Sequence, residues 1–186
     1  DSSVINFDIT FNAATEVRNP VTFGTTGTLT LGNNTEDTFT FKGGITHTKG
    51  NTTLSGKIIT DSAPVVLSSD ANIKTLTLTG NSTIQTTGAV GNETGAAITL
   101  GAVSAVSSVS GEEKTLSLTG GTGNITVYGA VGSESTKLGN ITIKGNDVTL
   151  QKQVTTNGEL SVTHSGIFTI AEAANITADG GFTQGG

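Results

Sequence analysis

The residue types that most often carry chemistry are few in this chain and far apart. Its two histidines, His47 and His164, each lie in an alternating stretch with Thr or Ser, and there is no cysteine. Two such distant imidazoles without thiolates do not form a zinc signature. The sequence therefore predicts no metal site, and we interpret both histidines as surface or sheet-edge residues.

The fifteen acidic residues are scattered, and most of them occur among turn residues. Only Glu36-Asp37 and Glu112-Glu113 are adjacent pairs. Neighbouring residues on a strand point to opposite faces, so neither pair forms a natural catalytic dyad. No Gly-x-Ser-x-Gly motif presents a nucleophile. The sequence predicts no catalytic residues, and we expect a protein that is not an enzyme.

The segment Gly120-Gly121-Thr122-Gly123-Asn124 is the glycine cluster that suggests a phosphate-binding loop. Such a loop needs a helix after it and, in the Walker form, a Gly-Lys-Ser/Thr end. The residues that follow it, Ile125-Thr126-Val127, alternate as a strand does. We therefore interpret the cluster as a corner between strands and predict no bound cofactor.

Composition excludes several classes of partner. The net charge is -6, and the nine Lys and Arg residues are dispersed, which disfavours nucleic acid. No apolar run approaches the roughly 20 residues of a membrane span. Aromatic residues make up only 4% of the chain and glycine supplies 26 of its 186 residues. These values predict a narrow interior filled by Val, Ile, Leu, Ala and Thr.

Short alternating segments bounded by Gly, Asn, Asp or Ser recur along the chain, which is the pattern of β-strands. Helical spacing is almost absent: only 171–174 could form a helical turn, and a corner is equally expected there. The stretch from Gly101 to Gly111 departs from the pattern. The predicted strands are 21–23, 28–31, 38–41, 54–59, 65–67, 73–78, 98–100, 116–118, 125–127, 141–143, 148–150, 160–162, 167–170 and 176–178.

An internal repeat organises these strands. The heptapeptide Lys74 to Gly80 returns almost unchanged as Lys114 to Gly120, and Gly-Ala-Val-Gly occurs at 88–91 and at 129–132. Periods of this size belong to stacked architectures. We predict an all-β chain that is a single parallel β-helix (β-solenoid) segment over 1–186, with a repeat of roughly 40 residues at 73–150; a β-sandwich is the alternative.

The repeat also predicts which side chains point inward. With coils of roughly 18 to 25 residues, one repeat unit corresponds to two coils. We expect Leu76, Leu78, Leu116 and Leu118 to face inward and the intervening Thr77 and Ser117 to face solvent.

Asparagine begins seven Asn-x-Ser/Thr triplets, the acceptor motif for N-glycosylation. A turn asparagine followed by an aliphatic/Thr strand creates this triplet automatically. Exposed turns would nevertheless be accessible acceptors where a glycosylating enzyme is present. The triplets begin at Asn33, Asn51, Asn81, Asn92, Asn124, Asn140 and Asn175.

Residues 116–132 followed by 138–143 resemble repeats in large bacterial exoproteins of the filamentous haemagglutinin and autotransporter-passenger kind. The resemblance is clearest over 73–150. It implies a right-handed parallel β-helix that forms the shaft of a secreted or surface-anchored adhesin, at the bacterial cell surface or outside the cell. It implies no catalytic residues.

These observations together predict a structural, non-catalytic stalk or weakly adhesive surface. Its expected partners are a host or neighbouring cell surface, glycans, or other copies of the same protein. A carbohydrate-active β-helix that binds or degrades polysaccharide, and an ice-binding solenoid, are the alternatives. The terminal residues 180–186 end in mid-pattern, from which we expect a longer native polypeptide.

Overall fold

The computed structural model describes residues 6–67, 75–88, 94–101, 106–172 and 174–186. This part of the chain contains no helix, and thus none long and apolar enough to cross a membrane. Its strands are β1 (Ile9–Phe11), β2 (Thr15–Val17), β3 (Val21–Phe23), β4 (Leu29–Leu31), β5 (Thr38–Phe41), β6 (Ile45–His47), β7 (Thr52–Ile59), β8 (Val65–Leu67), β9 (Leu76–Gln85), β10 (Ile98–Leu100), β11 (Val106–Ser108), β12 (Leu116–Thr119), β13 (Ile125–Val127), β14 (Ile141–Gly145), β15 (Val148–Leu150), β16 (Val154–Thr156), β17 (Leu160–His164), β18 (Phe168–Ile170), β19 (Ile176–Ala178) and β20 (Phe182–Gly185).

These strands stack as a parallel β-solenoid of about seven turns with three faces. The first face contains β1, β4, β11, β16, β19 and the first halves of β7 and β9. The second face contains β2, β5, β12, β14, β17, β20 and the second halves of β7 and β9. The third face contains β3, β6, β8, β10, β13, β15 and β18.

Every pairing between these strands is parallel, and the one antiparallel contact among the described residues is an isolated bridge between Asp61 and Thr87. A β-sandwich of the immunoglobulin kind pairs its strands antiparallel. The predicted β-solenoid is therefore confirmed, and the sandwich alternative is wrong.

The strands β7 and β9 run across the corner between the first and second faces without interruption, which joins these faces into one sheet. In β7 the register with β9 shifts between Leu54 and Gly56. Gly56 has φ +99°, a conformation that side-chain-bearing residues rarely adopt. This glycine lets β7 bend at the corner while both of its halves stay paired.

Alternation places two ladders of mostly apolar side chains inside each face. Leu76, Leu78, Leu116 and Leu118 are at most 3% exposed, whereas Thr77 and Ser117 are outward and only half-buried. The predicted orientation of both copies is thus confirmed. Each fully buried Leu, Ile or Val contributes about 1.5–3 kcal/mol relative to an exposed one, so stability is spread along the axis.

The expectation that one repeat unit makes two coils is wrong. Leu76 lies on the first face and pairs with Val106 of the next coil, whereas Leu116 lies on the second face and pairs with Ser82. The repeat therefore advances the chain by one coil and one face. The reason is physical: all three faces accept the same inward–outward alternation, and connections of variable length set the distance between strands.

The interpretation of His47 as a surface residue is also wrong, because its side chain is 0% exposed. Ile45 points inward and Thr46 outward, so alternation turns His47 back into the core between Phe23 and Leu67. Its Nδ1 lies 3.0 Å from Thr52 Oγ1. A polar partner within the core makes the buried imidazole acceptable.

The glycine cluster forms the predicted corner, and one hydrogen bond joins Ala171 to Ala174, where either a helical turn or a corner is expected. The N–H of Gly123 donates to the carbonyl of Gly120 at 2.8 Å, which closes a turn rather than a phosphate loop. The N–H of Ala174 donates to the carbonyl of Ala171, also at 2.8 Å. Within the irregular stretch 101–111, residues 106–108 form β11. Positions 102–105, the first two residues of the predicted strand 73–78, most of the first Gly-Ala-Val-Gly copy and the triplet asparagine at 92 lie outside the described residues.

Candidate functional site

Rows of threonine run along the outside of the solenoid at a spacing of about 4.8 Å, the distance between paired strands. On the first and third faces each three-residue strand has one outward position, so each row is a single file. The Oγ1 atoms of Thr53 and Thr30 on adjacent coils are 3.0 Å apart. The rows are Thr10, Thr30, Thr53, Thr77 and Ser107 on the first face, and Thr22, Thr46, Val66, Thr99, Thr126, Thr149 and Thr169 on the third.

The second face has longer strands and therefore two outward rows. Thr-x-Thr and Ser-x-Thr pairs occur on some coils, but no two adjacent coils repeat them in register. The row nearer the start of each strand is Thr38, Lys57, Thr83, Ser117, Thr142, Ser161 and Thr183. The row nearer its end is Glu16, Thr40, Ile59, Gln85, Thr119, Lys144, Thr163 and Gly185.

A groove of about 500 Å³ follows this second row, where the second face turns toward the third. We call it the polar groove. The side chains that contribute to it carry hydroxyl, amide, ammonium and imidazole groups. It is lined by Gln85, Thr87, Thr119, Gly121, Thr122, Lys144, Gly145, Thr163, His164 and Ser165.

The imidazole of His164 is held at one end of the polar groove. Its Nδ1 lies 2.8 Å from the carbonyl oxygen of Gly166, and its Nε2 lies 2.5 Å from the Gln184 amide nitrogen. The carbonyl oxygen can only accept a hydrogen bond, so Nδ1 is the donor. In this neutral tautomer Nε2 carries no hydrogen, and it accepts the hydrogen bond of the Gln184 amide. The ring centroid also lies 6.0 Å from that of Phe168. His164 is half-buried, in agreement with the predicted edge position.

Asparagine and aspartate side chains tie successive coils together at the corners, either directly before a strand or, for Asn81, at the bend within β9. The Oδ1 atoms of Asn51, Asn81 and Asn140 each accept the backbone N–H of the corresponding residue in the next coil, at 3.0 to 3.1 Å. Asn124 Oδ1 accepts both the N–H of Asp147 at 3.1 Å and the side-chain amide of Asn146 at 3.0 Å. Several Asn-x-Ser/Thr triplets therefore begin at a corner asparagine whose side chain hydrogen-bonds the next coil.

Replacement of Asn124 by alanine is expected to destabilise the fold by about 0.5–1.5 kcal/mol, because two donors of the next coil lose their acceptor at an exposed site. Urea denaturation followed by circular dichroism measures the change. Asn33→Ala is the matched control, since the Asn33 side chain makes no hydrogen bond among the described residues while its backbone N–H bonds Asp37. Equal losses for both variants would show that the corner bond does not stabilise the coil.

The adjacent acidic pairs act at turns and ion pairs. Asp37 Oδ2 accepts the N–H groups of Asn33 and Asn34 at 3.0 and 3.1 Å, and Glu112 pairs with Lys114 at 2.9 Å. In the described ranges, no three His, Cys, Asp or Glu side chains come together in a way that would hold a metal ion. The predicted turn role of these acids agrees with this geometry.

Two ion pairs at the surface link residues of different coils and shift the pKa of one partner each. The Lys42 ammonium hydrogen-bonds the Glu16 carboxylate at 3.0 Å and lowers the pKa of Glu16, with a smaller contribution from Arg18. The Asp179 carboxylate, 2.9 Å from the Lys137 ammonium, raises the pKa of Lys137. The first pair therefore stabilises the fold above the ordinary Glu pKa and is lost as the pH falls through the lowered value. The second is lost only as the pH rises through the raised value.

Sequence reasoning named no site residues, and the polar groove could not be read from the sequence. Its rungs Gln85, Thr119, Lys144 and Thr163 lie on four different strands, each separated from the next by a whole coil of chain. Only the register of the strands brings them into one line. The sequence signal for the groove is the residue two positions after each outward Thr or Ser of the second face, because these residues form the second outward row.

No protein-family model matches the chain, and the comparisons with curated proteins and with solved structures found no significant match.

Proposed function

We propose that this chain is a non-catalytic structural and adhesive segment of a large bacterial surface or secreted adhesin-like protein. The observation that supports this proposal is the stack of about seven turns, in which the strands from β1 to β20 pair in parallel. In such a stack each coil is the template for the next, so the structure extends along one axis and keeps its cross-section.

The mechanism is geometric. Backbone hydrogen bonds between coils run along the solenoid axis and carry load from coil to coil, and seven turns span about 34 Å at the usual strand spacing. The outward threonine rows keep the faces wet and present hydroxyl groups at regular intervals. Hydroxyl rows suit contact with glycans or with a host or neighbouring cell surface, outside the bacterial cell.

Cell adhesion to the immobilised chain tests the adhesive part of this proposal. We expect saturable attachment that soluble folded chain competes away and heat-denatured chain does not. If the folded chain binds neither cells nor glycans, the adhesive part is excluded and only the spacer role remains.

The polar groove favours a carbohydrate-active β-helix as a second candidate, because it is an extended polar channel on a solenoid. Incubation with pectin or alginate would then release new reducing ends or unsaturated products. The single-file threonine row of the third face is the observation that favours ice binding, and thermal hysteresis measures it directly. We expect neither activity, since the proposed role requires only contact.

A further inference from the structure

Among the described residues, no carboxylate lines the polar groove, although the whole chain carries a net charge of -6. Its hydrogen-bonding side chains are hydroxyls and one amide, and its basic side chains are Lys144 and His164. Asp61 approaches one end through its backbone bridge to Thr87 but is not a lining residue. The described lining of the groove therefore carries one cation, Lys144, and no anion on an acidic protein, which favours an anionic ligand.

Lys144 is the charged side chain of the polar groove that an anionic ligand can pair with. Its side chain is exposed, and no carboxylate of the described residues lies within ion-pairing distance. His164 is already bonded through both ring nitrogens, to Gly166 and Gln184. An anion in the groove would therefore meet one unpaired ammonium group, flanked along the axis by hydroxyl groups.

The neighbours of Lys144 are set by strand register. Lys144 pairs with Thr119 on the preceding coil and with Thr163 on the following coil, while Gln85 precedes Thr119. These four rungs repeat at about 4.8 Å, close to the length that one sugar ring adds to a linear glycan. A row of neutral donors and acceptors with one cation matches a chain of sugar hydroxyls that carries an acidic group.

We propose that the polar groove binds a linear acidic glycan. Lys144 pairs with its carboxylate or sulfate group, and Thr119 and Thr163 hydrogen-bond its ring hydroxyls. The Gln85 amide nitrogen already donates to the Gly88 carbonyl, so Gln85 accepts from a ring hydroxyl through its Oε1. The inference rests on the adhesive part of the proposed function and gives that contact a place and a ligand class.

Binding of defined oligosaccharides to the intact chain tests the inference. The probes are a galacturonate hexamer with its neutral methyl ester, and sulfated maltohexaose with plain maltohexaose, each titrated by calorimetry. The variant is Lys144→Thr, which continues the threonine row between Thr119 and Thr163. The control is Lys57→Thr, at a lysine of the same face that is also exposed and lies between Thr38 and Thr83, outside the groove.

We expect a charged probe to bind more tightly than its neutral twin and to bind more weakly as salt is added. Lys144→Thr should weaken that binding about fivefold, the scale of one exposed charge pair, and Lys57→Thr should leave it unchanged. Circular dichroism verifies that both variants are folded. The charged probe that binds identifies carboxylate or sulfate as the recognised group.

Equal binding of charged and neutral twins, an unchanged affinity in Lys144→Thr, or no binding to either charged probe would overturn the groove assignment. The adhesive proposal fails differently, through loss of all attachment to cells and glycans. Cell attachment that persists unchanged in Lys144→Thr would retain adhesion and exclude the groove as its site.

Discussion

Replacement of Leu118 by aspartate is expected to unfold the solenoid, whereas the same replacement at Ser117, next to it in β12, should leave it folded. Leu118 is 1% exposed and stands in the inward ladder between Ile84 and Ile143. A carboxylate there would replace an apolar contact with both neighbouring coils and would find no partner. An unpaired buried charge costs more than about 4 kcal/mol, a large part of the stability of a typical domain.

Far-UV circular dichroism and urea denaturation of the two variants measure this difference. Leu118→Ala provides a graded form of the test, with an expected loss of about 2–5 kcal/mol from the missing side chain and the cavity it leaves. Ser117→Asp controls for the added charge on the same strand. A folded Leu118→Asp chain with the stability of Ser117→Asp would contradict the assigned inward orientation.

The second large effect is expected at Gly56, where β7 turns from the first face to the second. An added Cβ would lie 2.3 Å from the carbonyl oxygen of Asp37, and that oxygen accepts the Lys57 N–H at 2.8 Å. The backbone also has a positive φ of +99°. Strain in such a conformation costs about 1–3 kcal/mol, and the clash adds to it, so Gly56→Ala should lose about 3 kcal/mol or more.

Gly24→Ala is the matched control, because a Cβ at Gly24 would meet nothing within 4 Å and its φ is not positive. We expect this variant to stay within about 1 kcal/mol of the original chain, or to gain slightly from a less flexible unfolded state. Urea midpoints of the two variants make the comparison. Similar midpoints would mean that the corner at Gly56 accommodates a side chain.

The fold class could be predicted because alternation and turn residues act locally. The inward positions of Leu76 and Leu116 follow from a two-residue period that needs no knowledge of the neighbouring coil. The same two-residue alternation places His47 inward, but the polarity of the imidazole led to its interpretation as a surface residue. The contact with Thr52 that makes the buried ring acceptable depends on the fold and was not visible in the sequence.

The register in which the strands pair could not be predicted from the sequence. Lys144 and Thr119 are neighbours only because β12 and β14 pair in this register. The composition of the connection between the two strands does not predict that register. Connection lengths also vary from coil to coil: the coil that leads from Ile9 to its partner Leu29 is shorter than the one that leads from Leu76 to Val106. Any site built across coils is therefore invisible until strand pairing is known, whereas a site within one strand would have been found.

The offset between the two copies of the heptapeptide has a consequence for how such a chain can change. The copy that contains Leu76 lies on the first face and the copy that contains Leu116 lies on the second, yet both fill the core equally well. A duplicated segment therefore need not match a whole number of coils. Insertion of such a segment places the copied outer residues on the next face of the solenoid. The same few residues then face a new direction while the packing of the interior is kept.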